Sequence, residues 1–185
     1  MVPLNEPLRS QPTASGFGAV GRLALRFGVG AGIVCGLWLL VLYFTHSEPF
    51  SPKQIMGLLV VPFAAAGSQW FLRREAQPAR SGIGRSLAVG SLTVLLAAGI
   101  AAGSAWGLAQ AVGEPILAQN RHELTEIMRV QQNLRPKEKR NAQLEKQELD
   151  RIAAVSGGDL AMQTFKLTLI LGLFLAVPAG IFLRK

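Results

Sequence analysis

The side chains best suited to chemistry are few in this chain, and they do not assemble into a reactive set. Its two histidines, His46 and His122, have Glu48 and Glu126 close by in sequence. His122 and Glu126 are one helical turn apart, a spacing that can present two metal ligands on one face. A closed zinc site needs four such ligands, and nothing ties the two segments together. Solvated side chains and surface ion pairs are therefore the expected state. Cys35 is the only cysteine, so no internal disulfide can form. It sits within an apolar run, where a small packing residue is expected. No nucleophile–base–acid grouping and no phosphate loop occurs. Glu138, Glu145, Glu148 and Asp150 alternate with Lys139, Arg140, Lys146 and Arg151, as on a solvated helix face. No catalytic, cofactor-binding or metal-ligating residue is assigned, and the chain is read as not an enzyme.

The elements that would have to position such residues belong to a membrane. Phe27–Phe44, Ile55–Leu72, Ser86–Ala109 and Leu167–Leu183 contain no Asp, Glu, Lys, Arg or His. A helix crosses the hydrocarbon core with about 20 mostly apolar residues, so each stretch reads as a span. The first is too long, and too far behind its polar leader, to be the apolar region of a signal peptide. Intramembrane ionisable groups are the usual signposts of pumps and relays, and these stretches have none. The fold class is all-α: a bundle of four transmembrane helices with a long extramembrane helical arm between the third and fourth.

Boundaries follow from composition. Residues 1–21, rich in Pro, Ser and Gly, are expected to form a disordered leader, with a membrane domain over 22–185. The spans are placed at about 24–45, 54–73, 85–110 and 161–183, and the arm at about 113–156. Ser51 reads as a helix cap before Pro52, and Pro62 as a bend in the second span. Leu117, Leu124, Ile127, Met128 and Leu134 mark one arm helix. Pro136 breaks it, and a more polar helix runs to Gly157-Gly158, which should end it.

Charge placement gives the threading. The formal net charge is +8. Arg9, Arg22 and Arg26 precede the first span, Arg73, Arg74, Arg80 and Arg85 lie between the second and third, and Arg184 and Lys185 follow the fourth. These cations meet only Glu6 and Glu75, whereas cations and acids nearly balance in the arm. The first span has Arg22 and Arg26 before it and nothing basic after it until Lys53. By the positive-inside rule both termini face the cytoplasm. Arg22, Arg26, Arg73, Arg74, Arg80, Arg85, Arg184 and Lys185 are then expected to contact anionic lipid headgroups, at about 1 kcal/mol per cation. The basic charge thus points to lipid, not to nucleic acid.

Small residues recur every fourth position in three spans: Gly28, Gly32 and Gly36; Gly99, Gly103 and Gly107; Gly172, Ala176 and Gly180. Such stripes let helix backbones approach closely in lipid. Depth along the spans suggests that the first and fourth touch in the cytoplasmic half, with the third span's stripe near Gly57. A homo-oligomer seam is the alternative use of these faces. Ser68, Gln69, Ser91, Thr93, Ser104, Thr164 and Thr168 are expected to bond their own backbone or a neighbouring helix. Tyr43, Phe44 and Trp106 at one end, and Trp70 and Phe71 at the other, fit interfacial belts.

Arg26-Phe27-Gly28 opens a Gly-rich span with Trp38, Ser51-Pro52-Lys53 precedes the second span and Pro62 lies inside it, and a short basic loop, a Gly-rich third span and a long charged loop before the last complete the order. This order resembles the domain-of-unknown-function family 4199, uncharacterised bacterial inner-membrane proteins. The resemblance covers about residues 22–185. It implies four helices in a bacterial cytoplasmic membrane, with no assigned activity and no functional residue to carry over.

With no embedded chemistry, the search for function moves to the arm. The expectation is a non-enzymatic accessory or scaffold subunit that engages a membrane or periplasmic protein through that arm. The alternative is a small neutral-solute or lipid transporter, suggested by Pro62, Pro178 and the glycines.

Overall fold

The computed structural model describes residues 14–75, 83–134 and 142–182. Its elements are α1 (Ala14–Phe44), α2 (Gln54–Leu58), α3 (Val60–Glu75), α4 (Ile83–Val112), α5 (Glu114–Leu134), α6 (Ala142–Ala153) and α7 (Gly157–Phe182). Four segments are long and apolar enough to cross a membrane: Val20–Phe44, Gln54–Arg74, Gly84–Val112 and Gly157–Phe182. The described residues form no strand. The chain is an all-helical bundle, with α5 and α6 as an arm between its third and fourth long helices.

Three boundaries differ from the sequence reading, each for a local reason. Helix α1 begins at Ala14, inside the expected leader, because Val20, Leu23, Ala24 and Phe27 already form an inward stripe. Val20 is buried with Leu23, Leu72 and Val89, against Phe27, and this packing outweighs the low helix propensity of the nearby glycines. Residues 1–13 lie outside the described chain. Ser51 does not cap α2. Lys53 holds the cap position without a side-chain bond, while the Gln54 N–H donates to the Ser51 carbonyl at 2.9 Å. Gly157-Gly158 opens α7 instead of closing α6. Ser156 N–H and Oγ–H both donate to the Asp159 carboxylate, at 2.9 and 2.6 Å, and Asp159 N–H returns a bond to Ser156 Oγ at 3.3 Å. This reciprocal box supplies the cap that the glycines lack, and it starts the fourth long helix four residues before its expected limit. Pro62 acts as expected in kind. It has no N–H for the carbonyl of Leu58, and the helix is interrupted at Leu59, between α2 and α3. The Pro136 break lies outside the described residues.

Helix α4 is the hub of the bundle. A methyl group at Gly28 would come within 2.8 Å of Leu96 Cβ, at Gly32 within 2.6 Å of Ile100 Cβ, and at Gly36 within 2.6 Å of Ser104 Oγ. The same offset separates 28 from 96, 32 from 100 and 36 from 104, so α1 and α4 run parallel in steady register. Gly172 is pressed on Val94, Gly180 on Leu87, and Gly157 on Ala109. Here one number rises as the other falls, so α7 runs antiparallel on another side of α4.

These contacts correct the packing expected from depth. The first-span stripe Gly28, Gly32 and Gly36 meets the third long helix, not the fourth. Gly57 faces the Trp38 ring. At Gly99, Gly103 and Gly107 a Cβ would find nothing within 4 Å, so this stripe lies on the bundle's outside.

Polar side chains tie the helices where the apolar core cannot. Ser68 Oγ donates to the Ala65 carbonyl at 2.7 Å, and the Thr93 hydroxyl sits 3.1 Å from Ser68 Oγ. Gln54 donates to Thr164 Oγ1 at 2.9 Å. Gln69, 1% exposed, donates to the Ala176 carbonyl of α7 at 2.9 Å in a cradle made by Gly90 and Gly180. Interhelical bonds of this kind contribute about 0.6 kcal/mol on average, and at most about 1.7 kcal/mol. We expect Gln69→Met, similar in length and unbranched, to lower bundle stability by about 1 kcal/mol in detergent-unfolding titrations. An unchanged midpoint would show that the bond carries no net stability.

Candidate functional site at the base of the arm

The arm begins at a single backbone hinge. Gly113 has φ +73°, a left-handed conformation that costs glycine nothing, and it separates α4 from α5. Pro115 follows within the first turn of α5, where N–H groups have no intrahelical acceptor anyway. The turn seats Ile116, 4% exposed, among Leu39, Ala105 and Leu108. Helix α5 is thus clamped to the bundle by its first turn.

Two polar groupings extend this seat. On one side of α5, Gln119 Nε2 donates to Glu48 Oε1 at 3.0 Å, across to the loop after α1. Glu123, one turn further along, shares a hydrogen bond with the same Glu48 carboxyl group. That bond, partial burial and the Glu48 charge push the Glu123 pKa up to about 7, against a smaller opposing pull from Lys53. On the other side, Arg121 closes the arm on itself. Its Nε and Nη2 donate to the Val155 carbonyl at 3.0 and 2.8 Å, and its Nη1 to Glu114 Oε1. Val155 follows the C-terminal end of α6, where a cation is favoured by the helix dipole. Between the loop and α5, Glu48, Pro49, Phe50, Ile116, Gln119 and Asn120 enclose a cavity of about 10 Å³. It holds at most a water molecule, so the seat is a joint and not a ligand pocket.

The sequence reading singled out none of Arg121, Gln119 and Glu123. Glu123 is one heptad past Ile116 and so shares its face, which is the only trace of the joint in the primary structure. Of the groups it did single out, Arg22, Arg26, Arg74 and Arg85 are exposed and Arg73 is half-buried, and all five lie towards the end of the bundle away from the arm. The Arg74 guanidinium rests 5.7 Å from the Trp70 ring centre. Arg80, Arg184 and Lys185 fall outside the described residues. His46 is exposed and terminates α1 with φ 52°, a conformation His tolerates better than most residues. His122 lies 3.9 Å from Glu126. Among the described residues no group of three or more metal-binding side chains gathers. A larger groove of about 410 Å³ runs between α1 and α4, lined by Ile33, Leu37, Leu40, Ile100, Gly107 and Ala111 among others. Its walls are apolar, and Ile33 and Leu37 are more than half exposed.

A family model described as a protein of unknown function, DUF4199, matches residues 26–185. The chain belongs to the DUF4199 family. The match spans most of α1, all of α2 to α7 and the whole base of the arm, so the joint falls inside the DUF4199 region and Ala14–Leu25 outside it. Comparison with curated proteins and with solved structures gives no match.

Proposed function

We propose that this DUF4199 protein is a non-enzymatic accessory or scaffold subunit of the bacterial cytoplasmic membrane, whose arm engages a membrane or periplasmic protein. In this reading both termini face the cytoplasm, and the basic end of the bundle sits against anionic headgroups. The observation that carries it is the surface of α5. Ile127, Val130 and Leu134 are 42%, 58% and 79% exposed, one helical face among charged residues and beyond the part seated on the bundle. Exposed apolar groups rimmed by charge are the usual anatomy of a protein contact. Affinity capture from membranes tests this with the intact chain and with Glu114–Val155 replaced by a short linker. The Val130→Glu variant, which keeps the fold of the arm, is the control for misfolding. Partners lost in both variants are the expected result, and identical partner sets in all three samples would overturn the reading.

The interruption at Leu59, Pro178 inside α7 and the apolar groove beside α1 and α4 favour a second reading, transport of a lipid or small neutral solute. Lipid scrambling or solute uptake by reconstituted vesicles, above protein-free vesicles, would support it over the first.

A further inference from the structure

We infer that the outer face of α1 and α4 holds one anionic phospholipid, with its phosphate at Arg22 and Arg26 and one acyl chain laid into the groove that begins at Ile33. The inference deepens the reading that the basic end of the bundle meets anionic headgroups, and it is independent of the arm.

Charge and shape converge on this face. At 3.6 residues per turn, Arg22, Arg26, Ile33, Leu37 and Leu40 lie within about 60° of one another around α1, and all five are exposed. Ile33, Leu37 and Leu40 belong to the wall of the 410 Å³ groove, so that wall runs directly into two arginines. On α4, exposed Arg85 shares a face with Gly103, five whole turns further on, and the next turn carries Gly107 in the groove wall. Because α1 and α4 run parallel, the three cations gather at one end. Neither helix contains an acid, and among the described residues none of the three arginines has an ion-pair partner.

Depth fits a lipid of one leaflet. Ile33 and Leu40 stand about 10 and about 21 Å from Arg26 along the axis, at 1.5 Å per residue. Half of a bilayer, headgroups included, is about 20–22 Å deep. A phosphate at Arg26 therefore sets its chain over Ile33 and the end of that chain near Leu40. Arg22 is one turn nearer the water, and two guanidinium forks on one face suit a phosphate group. The groove itself calls for an apolar occupant. The Ser104 hydroxyl in its wall already donates to the Ile100 carbonyl, at 2.9 Å. A second copy of the chain fits less well, because a two-fold contact sets a patch against itself. Here it would bring Arg22, Arg26 and Arg85 towards the same cations with no acid between them, which like charges oppose.

Native mass spectrometry of the full chain in neutral detergent tests the site, by titration with dioleoyl phosphatidylglycerol or dioleoyl phosphatidylcholine. One phosphatidylglycerol should bind about tenfold more tightly than phosphatidylcholine, because each cation contributes about fivefold before screening by salt. In Arg22→Gln with Arg26→Gln that preference should fall to about twofold. In Arg73→Gln with Arg74→Gln it should stay above about fivefold, since α3 meets α1 at Phe27, about 100–140° around α1 from Arg26 and Arg22. Gly107→Leu places a side chain where a Cβ has open space, and it should weaken phosphatidylglycerol binding about fivefold by filling the groove. Equal loss in the two double variants would overturn the site and leave the general attraction of the basic end standing. No preference in the wild type would overturn both. Unchanged affinity in Gly107→Leu would overturn the seat of the chain, and a two-chain complex abolished by Gly107→Leu would assign the face to a second copy instead.

Discussion

Replacing Gly32 by Leu lowers the stability of the bundle by about 3 kcal/mol, whereas Gly103→Leu leaves it within about 0.5 kcal/mol of wild type. The contrast follows from which side of each helix is occupied. A Cβ at Gly32 would stand 2.6 Å from Ile100 Cβ and 2.9 Å from Ile100 Cγ2. Those atoms sit near the α4 backbone, so they cannot swing aside as the tip of a flexible chain could. The two helices must separate, and the close contacts at Gly28 and Gly36 are lost with them. In a membrane this loss is not offset by apolar burial, because lipid tails are as apolar as the displaced side chain. Gly103 has nothing within 4 Å of its Cβ position, and Leu is the better helix former by about 0.8 kcal/mol. Unfolding of the purified protein in mixed micelles by a denaturing detergent measures both. Equal loss at the two positions would mean that the outward stripe Gly99, Gly103 and Gly107 is also covered, by a second copy of the chain. Crosslinking of the wild type would then reveal a dimer.

This contrast also marks how far the primary structure could be read. The four spans were legible because absence of charge over 17 or more residues marks a helix long and apolar enough to cross a membrane. The small-residue stripes were legible as close-packing faces, but spacing does not say which helix fills the groove. Depth alone favoured first against fourth, and the chain uses α4 for both instead. A stripe such as Gly99, Gly103 and Gly107 is identical in sequence pattern to a packed one, so its exposure could not have been inferred. The early start of α1 was hidden by Gly16, Gly18 and Gly21, whose low propensity masked the inward run from Val20. The base of the arm was the least legible part. Glu48 and Glu123 are distant in sequence and ordinary in composition. Only the hinge at Gly113, the seat of Ile116 and the return of α6 bring the joint together.

The same return can be cut at one residue. In Arg121→Met, with its stem retained and its charge removed, the amides of α6 (142–153) should exchange about tenfold faster while those of α4 and α7 keep their protection. A hydrogen bond to a charged group contributes about 1.5–3 kcal/mol, and the Arg121 side chain is 27% exposed, which places the expected loss near the lower end, about 1.5 kcal/mol. Two of its nitrogens converge on one acceptor, the Val155 carbonyl, while the third holds Glu114. Removing the fork therefore frees the return of α6 and the Glu114 side chain, while Ile116 keeps the first turn of α5 seated. A point charge cannot reproduce that geometry, so Arg121→Lys should recover less than half of the lost protection. Full recovery with Lys would show that charge near the α6 terminus is sufficient and that the fork is incidental.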